Sequence, residues 1–196
     1  MQGNEVMKAL LAHAGVNNKW LAKRREEIVD PGLAIVDPHH HLYDLPGNRY
    51  LFDEFLADIN SGHNIVATVH VTAHSMFRAT GPEELRPIGE TEFANGVAAQ
   101  SASGLYGNHR ICEGIVGTTD LMLGNGVLPV LEAHMRSAGP RFRGIRPTVA
   151  SHESQLIRPN SGPPHVLLEP KAREALACIQ AKGLTLDLWI FFTQLD

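Results

Sequence analysis

The sequence predicts an α/β fold, and three observations carry that expectation. Short apolar runs rich in β-branched residues alternate with segments whose apolar residues recur at helical spacing. The strand-like runs are apolar throughout rather than alternating in polarity, as in strands covered on both faces of a parallel sheet. Every such run except the last is followed by a helical segment, which gives five strands with four helices between them.

In chain order, residues 1–33 form an N-terminal extension with one or two helices. Val6, Leu10 and Leu11 mark one stripe, and Trp20, Leu21, Arg24 and Ile28 a second that stops at Pro31-Gly32. Residues 34–196 form the main domain. Its first strand, 34–37, runs into His39-His40-His41 and a loop with Pro46-Gly47. Leu51, Phe52, Phe55, Leu56 and Ile59 predict a helix over 51–60, and Ile65 to Val71 a second strand. Phe93, Ala94, Val97 and Ala98 place a helix within 88–102, before a third strand from Ile111 to Val116. Val127, Leu128, Leu131 and Met135 mark a helix closed by Gly139-Pro140, and Phe142 to Ile145 is the fourth strand. A loop over 147–168 is longer than a connector needs, as functional loops often are. Pro170 opens a helix with Ala172, Ala175, Leu176 and Ile179 inside and Gly183 as its stop. The fifth strand, Leu184 to Phe192, has no helix after it. An apolar strand left uncovered at a sheet edge predicts self-association.

Composition narrows the function classes. The 196 residues are 43% hydrophobic and 19% charged, with a formal net charge of -4, and give no basic footprint for nucleic acid or a membrane surface. No apolar run approaches the roughly 20 residues of a membrane span, and the first residues do not read as a signal peptide. Cys112 and Cys178 lie far apart in apolar surroundings, as reduced thiols of a cytoplasmic protein would.

The chemistry concentrates in Asp37-Pro38-His39-His40-His41 at the end of the first strand. Side chains alternate along a strand, so His39 and His41 share a side while His40 points away. Two imidazoles side by side begin a divalent-metal site; a surface histidine cluster or a tag remnant is the alternative reading. His70 reads as a structural core histidine, and His74, His152 and His165 as solvated loop residues. Arg146, at the end of the fourth strand, could grip a carboxylate or lactone oxygen with its guanidinium fork or sit in a surface ion pair. Asp187 shares the parity of Trp189 and Phe191 rather than of Phe192, which turns it away from the site.

The run Ile35-Val36-Asp37-Pro38-His39-His40-His41-Leu42-Tyr43-Asp44 resembles the opening of the amidohydrolase-related hydrolases, a group that includes sugar-lactone hydrolases and dicarboxylic-acid lactonases. The likeness continues through 62–69, 86–93, Phe142-Arg143-Gly144-Ile145-Arg146 and Leu186-Asp187-Leu188-Trp189. It implies a (β/α)8 TIM barrel of which about five β/α units are present, with the site at the C-terminal strand ends. It also implies His39 and His41 as ligands of Zn²⁺ or Mn²⁺, or as polar site residues in a metal-free member. The reaction implied is attack of water on a lactone or amide carbonyl of a small acidic substrate, although related folds also decarboxylate. Three departures matter. Phe192 stands where relatives carry a site histidine in Tyr-His-Pro-Gln-Leu, Thr72 stands where many carry Glu, and the family's last site residues would fall beyond Asp196. An inactive fragment of such a barrel is therefore the competing expectation.

Overall fold

The structure is a computed structural model that describes residues 17–153 and 163–195. Its centre is one five-stranded, all-parallel sheet. The strands are β1 (Ala34–His40), β4 (Asn64–Val71), β5 (Arg110–Gly117), β6 (Phe142–Ile145) and β7 (Thr185–Leu186), in that spatial order. A small antiparallel hairpin of β2 (Tyr43–Leu45) and β3 (Asn48–Tyr50) interrupts the first crossover. Gly47 turns it with a φ of +77°, a conformation glycine adopts without strain.

Helices follow as the periodicity requires. After the single turn of α1 (Asn18–Leu21) come α2 (Phe52–Ile59), α3 (Ile88–Ala102), α4 (Leu128–Ala138) and α5 (Pro170–Ala181). Each turns a small apolar stripe inward: Phe52, Phe55 and Ile59 on α2, Ala94, Val97 and Ala98 on α3, Ala172, Ala175 and Ile179 on α5. They close over Ile111, Ile115 and Ile145, all nearly or fully excluded from water. Burial of one such side chain stabilises the fold by about 1.5–3 kcal/mol. Close approach fixes two glycines: a Cβ at Gly89 would lie 2.5 Å from the Met76 carbonyl, and one at Gly117 2.8 Å from the His134 ring.

The (β/α)8 barrel expected from the resemblance is not what these residues form. A closed barrel needs its first and last strands paired, whereas among the described residues β1 pairs only with β4 and β7 only with β6, so their sheet is open at both edges. The α/β class and the order of elements stand. The edges explain two further differences. β1 is an exposed edge rather than a buried strand, with Val36 56% accessible. The apolar run Leu184 to Phe192 pairs only over Thr185–Leu186; beyond it the chain leaves the sheet and ends in a 3₁₀ turn over Phe192–Gln194. There Gln194 accepts from Ser151 N at 3.0 Å and donates to the Val149 carbonyl at 2.9 Å, tying the tail to the loop after β6. The N-terminal helix expected through Ile28 is only the turn at Asn18–Leu21, and the stripe at Val6, Leu10 and Leu11 lies outside the described residues. No helix among the described residues is long and apolar enough to cross a membrane.

Candidate metal and anion site at the strand ends

The C-terminal ends of β1, β4 and β6 bring His39, His41 and Arg146 together, although 107 positions separate His39 from Arg146. Parity places the two imidazoles on one side of β1, and their Nε2 atoms lie 3.2 Å apart with the rings at 90°. Two nitrogens bound to one tetrahedral zinc at about 2.05 Å would stand roughly 3.3 Å apart. His41 Nδ1 is 2.7 Å from the Val71 carbonyl, which can only accept, so the proton sits on Nδ1 and Nε2 presents its lone pair. Arg146 Nη1 is 3.2 Å from His39 Nε2, and a guanidinium can only donate. In the neutral state two lone pairs therefore converge on one point.

A proton is a poor occupant of that point. Burial lowers the pKa of His41, with further lowering from the neighbouring His39 and Arg146, against the opposing pull of the Val71 carbonyl. The residues thus fit a divalent cation as a chelating pair, and they leave its other positions to groups from elsewhere. Thr72 offers no ligand: its hydroxyl donates to buried Glu90 at 2.5 Å. Phe192 is 79% exposed in the terminal turn.

Arg146 is half-buried, with its guanidinium 5.8 Å from the Trp189 ring centroid, a cation–π distance that holds the fork in place. Beside the rim opens a cavity of about 370 Å³, lined by His74, Phe77, Thr119, Asp120, Thr148 and Val149 among others. His74 Nε2 and Thr148 Oγ1 meet at 3.0 Å across it, and Thr119 Oγ1 is buried without a hydrogen-bond partner. His74 is thus a wall of this cavity rather than only a solvated loop residue. His152 lies against Phe191, and His165 occupies a left-handed position before a 3₁₀ turn.

Sequence reasoning missed Glu90. Its carboxylate is buried on α3, accepts from Thr72 Oγ1 and from Ala73 N at 2.7 Å, and lies 3.6 Å from His70 Nε2. Burial pushes its pKa up, but these partners outweigh it and hold the carboxyl below its usual range. The available signal was its place on the inward stripe of α3, beside Thr91 and one turn before Ala94.

Comparison with known proteins adds one relative. The chain is 29% identical over 186 residues to the uncharacterized protein y4mH of Sinorhizobium fredii (strain NBRC 101917 / NGR234). The match covers 84% of this chain and 56% of that protein, so the chain spans a little over half the relative's length. No family model matches the chain, and no solved structure matches it.

Proposed function

We propose that the strand-end rim is the metal- and anion-binding part of a hydrolytic site of amidohydrolase-related type, acting on a lactone or amide of a small acidic molecule. The observation that carries this reading is the pair of Nε2 lone pairs 3.2 Å apart, one of them aimed by a backbone carbonyl. His39 and His41 would hold the Zn²⁺ or Mn²⁺. When bound, such an ion supplies Lewis acidity toward a carbonyl and lowers the pKa of water. Arg146 binds the substrate's carboxylate through its fork, with Trp189 packed against the guanidinium. The adjoining cavity holds the substrate body, apolar at Phe77 and Val149 and polar at His74 and Thr119. Binding a carboxylate also draws Arg146 away from His39, which frees that nitrogen for the ion.

The same Arg146–His39 contact favours a second reading, a metal-free carboxylate-binding site in which His39 remains a hydrogen-bond acceptor. One experiment separates the two. Zn²⁺ and Mn²⁺ are titrated into chelator-treated protein, and a panel of carboxylate-bearing lactones and amides is assayed with and without chelator. The hydrolase reading expects turnover that chelator abolishes, at least ten-fold weaker metal binding in His41→Ala, and a raised KM in Arg146→Ala. Carboxylate binding without turnover, unaffected by chelator, would establish the metal-free reading instead. The exposed apolar residues of the C-terminal tail, Trp189, Phe192 and Leu195, are in addition proposed as a surface for self-association.

A further inference from the structure

The other side of β1 carries a second constellation. His40 is buried and stacks on Phe55 of α2, with ring centroids 4.1 Å apart. It pairs in register with His70 of β4, and the two rings lie 5.6 Å apart. Cys112 of β5 completes the group, its Sγ 3.6 Å from His40 Nε2. One donor atom from each of the three lies within 4.8 Å of the others, and all three side chains are at least nine-tenths buried.

Two irregularities of the sheet create this meeting. On β1, His40 comes three residues after Asp37, whereas on β4 only two separate their partners Thr68 and His70. On β5, Gly114 comes four residues after Arg110, whereas their partners Ala67 and Val69 are two apart. The extra β5 residues are accommodated at Cys112, which takes a left-handed φ of +55° and donates its N–H to Thr68 Oγ1 at 3.0 Å. A bulge re-aims a side chain, and a non-glycine residue held at positive φ is strain that packing must offset. Here both act to turn a thiol toward two imidazoles.

The group is also short of partners. His40 Nδ1 and both nitrogens of His70 are buried without a hydrogen bond. Buried polar atoms left unpaired are costly, and because each ring can offer an ion one nitrogen, it is the unpartnered ring of His70, between His40 and Glu90, that calls for a ligand. We propose that His40, His70 and Cys112 form a buried site for a soft divalent cation, Zn²⁺ in the first instance, distinct from the His39–His41 rim.

The chemistry fits. Bonds of about 2.3 Å to sulfur and 2.05 Å to nitrogen at a tetrahedral angle set S and N roughly 3.6 Å apart, the separation found between Cys112 and His40. Metal-bound histidines commonly give their other N–H to a carboxylate, and the Glu90 carboxylate, 3.6 Å from His70 Nε2 and not hydrogen-bonded to it, is the group placed to take that N–H. Charge balances as well. The Cys112 thiol gives up its proton to solvent on binding, and the thiolate together with the Glu90 carboxylate neutralises the two positive charges of the ion. The site needs no member of the strand-end rim, and so it does not depend on the hydrolase reading.

Cobalt tests it, because thiolate-bound Co²⁺ shows a near-ultraviolet charge-transfer band that imidazole-bound Co²⁺ lacks. Co²⁺ is titrated into the chelator-treated full chain, into the His39→Ala/His41→Ala double variant, and into Cys178→Ser and Cys112→Ser. The expected result is one thiolate-bound ion per chain in the first three and no band in the last. An unaltered chain that binds no second, imidazole-held Co²⁺, with the band intact, would isolate a failure of the hydrolase reading. No band in the unaltered chain overturns the buried site and leaves an S–H···N hydrogen bond between Cys112 and His40. Since the chain has two cysteines, loss of the band in Cys178→Ser also overturns it. That arm decides even if Cys112→Ser does not fold.

Discussion

Three consecutive histidines on one strand end occupy two different environments. His39 is exposed and His41 half-buried on the rim, facing Arg146, while His40 between them is buried beside His70 and Cys112. On the rim, polar groups are oriented: the Val71 carbonyl fixes one tautomer, and solvent can complete what the protein leaves open. In the buried layer, groups are confined rather than satisfied, and only a ligand or Glu90 can complete them. Strand alternation separates the two sides, and the bulges bring His40 to its buried neighbours. One residue type therefore supplies an accessible edge on one face and an unsatisfied interior cluster on the other.

The largest effect should come from the buried side. Glu90→Ala leaves the Thr72 hydroxyl and the Ala73 N–H without an acceptor inside the protein, which should cost about 3 kcal/mol. Glu90→Gln, which keeps shape and an acceptor, should cost about 1 kcal/mol. Urea unfolding at neutral pH measures both. A loss under 1 kcal/mol in Glu90→Ala would mean that the layer is wetter than its burial indicates, and the contrast with the rim would fail.

His134 sharpens the contrast, because it is a buried imidazole whose two nitrogens are both partnered. Nδ1 accepts from the Thr91 hydroxyl at 2.8 Å, Nε2 donates to the Thr118 carbonyl at 3.0 Å, and the ring stacks on Phe142. Burial lowers its pKa to about 4, outweighing the opposing pull of that carbonyl. The folded form therefore takes up a proton less readily than the unfolded chain. Its contribution is complete above the ordinary value of 6.5 and is lost as the pH falls from there toward 4. The slope is about 1.4 kcal/mol per pH unit, up to about 3 kcal/mol across the window. His134→Gln should be less stable at neutral pH but should flatten the pH dependence by that amount. Denaturant midpoints across the window would show it, and an unchanged slope would mean that His134 titrates normally.

The alternation of strands and helices was legible because each rests on local pattern, such as the β-branched run ending at Val71 or the stripe Ala94, Val97 and Ala98. The facing of His39 and His41 was legible for the same reason. What failed depended on neighbours. Leu184 to Phe192 is apolar enough for a long strand, but a strand extends only as far as it has a partner, and β6 ends at Ile145. Val36 is apolar, yet it stands on an edge with nothing beyond it. His70 lies in the core but is not satisfied there, and its meeting with His40 and Cys112 depends on bulges in two strand pairs. Register between strands that lie far apart in the chain leaves no trace in a single sequence, and neither does the φ of Cys112.

The smallest expected effect is the sharpest test of the division. His39 is exposed, its ring meets His41 and Arg146, and its backbone N–H donates to the Asp37 carboxylate at 3.1 Å. His39→Ala keeps that backbone bond and removes no buried contact, so stability should change by no more than about 0.5 kcal/mol. Yet the substitution deletes one of the two converging lone pairs, and rim metal binding should weaken at least ten-fold. Function without stability at His39, and stability at Glu90 beside His70, is what separated faces require. A His39→Ala loss of 2 kcal/mol or more would show that the rim histidines hold the sheet edge together, and that their convergence serves the fold before any ligand.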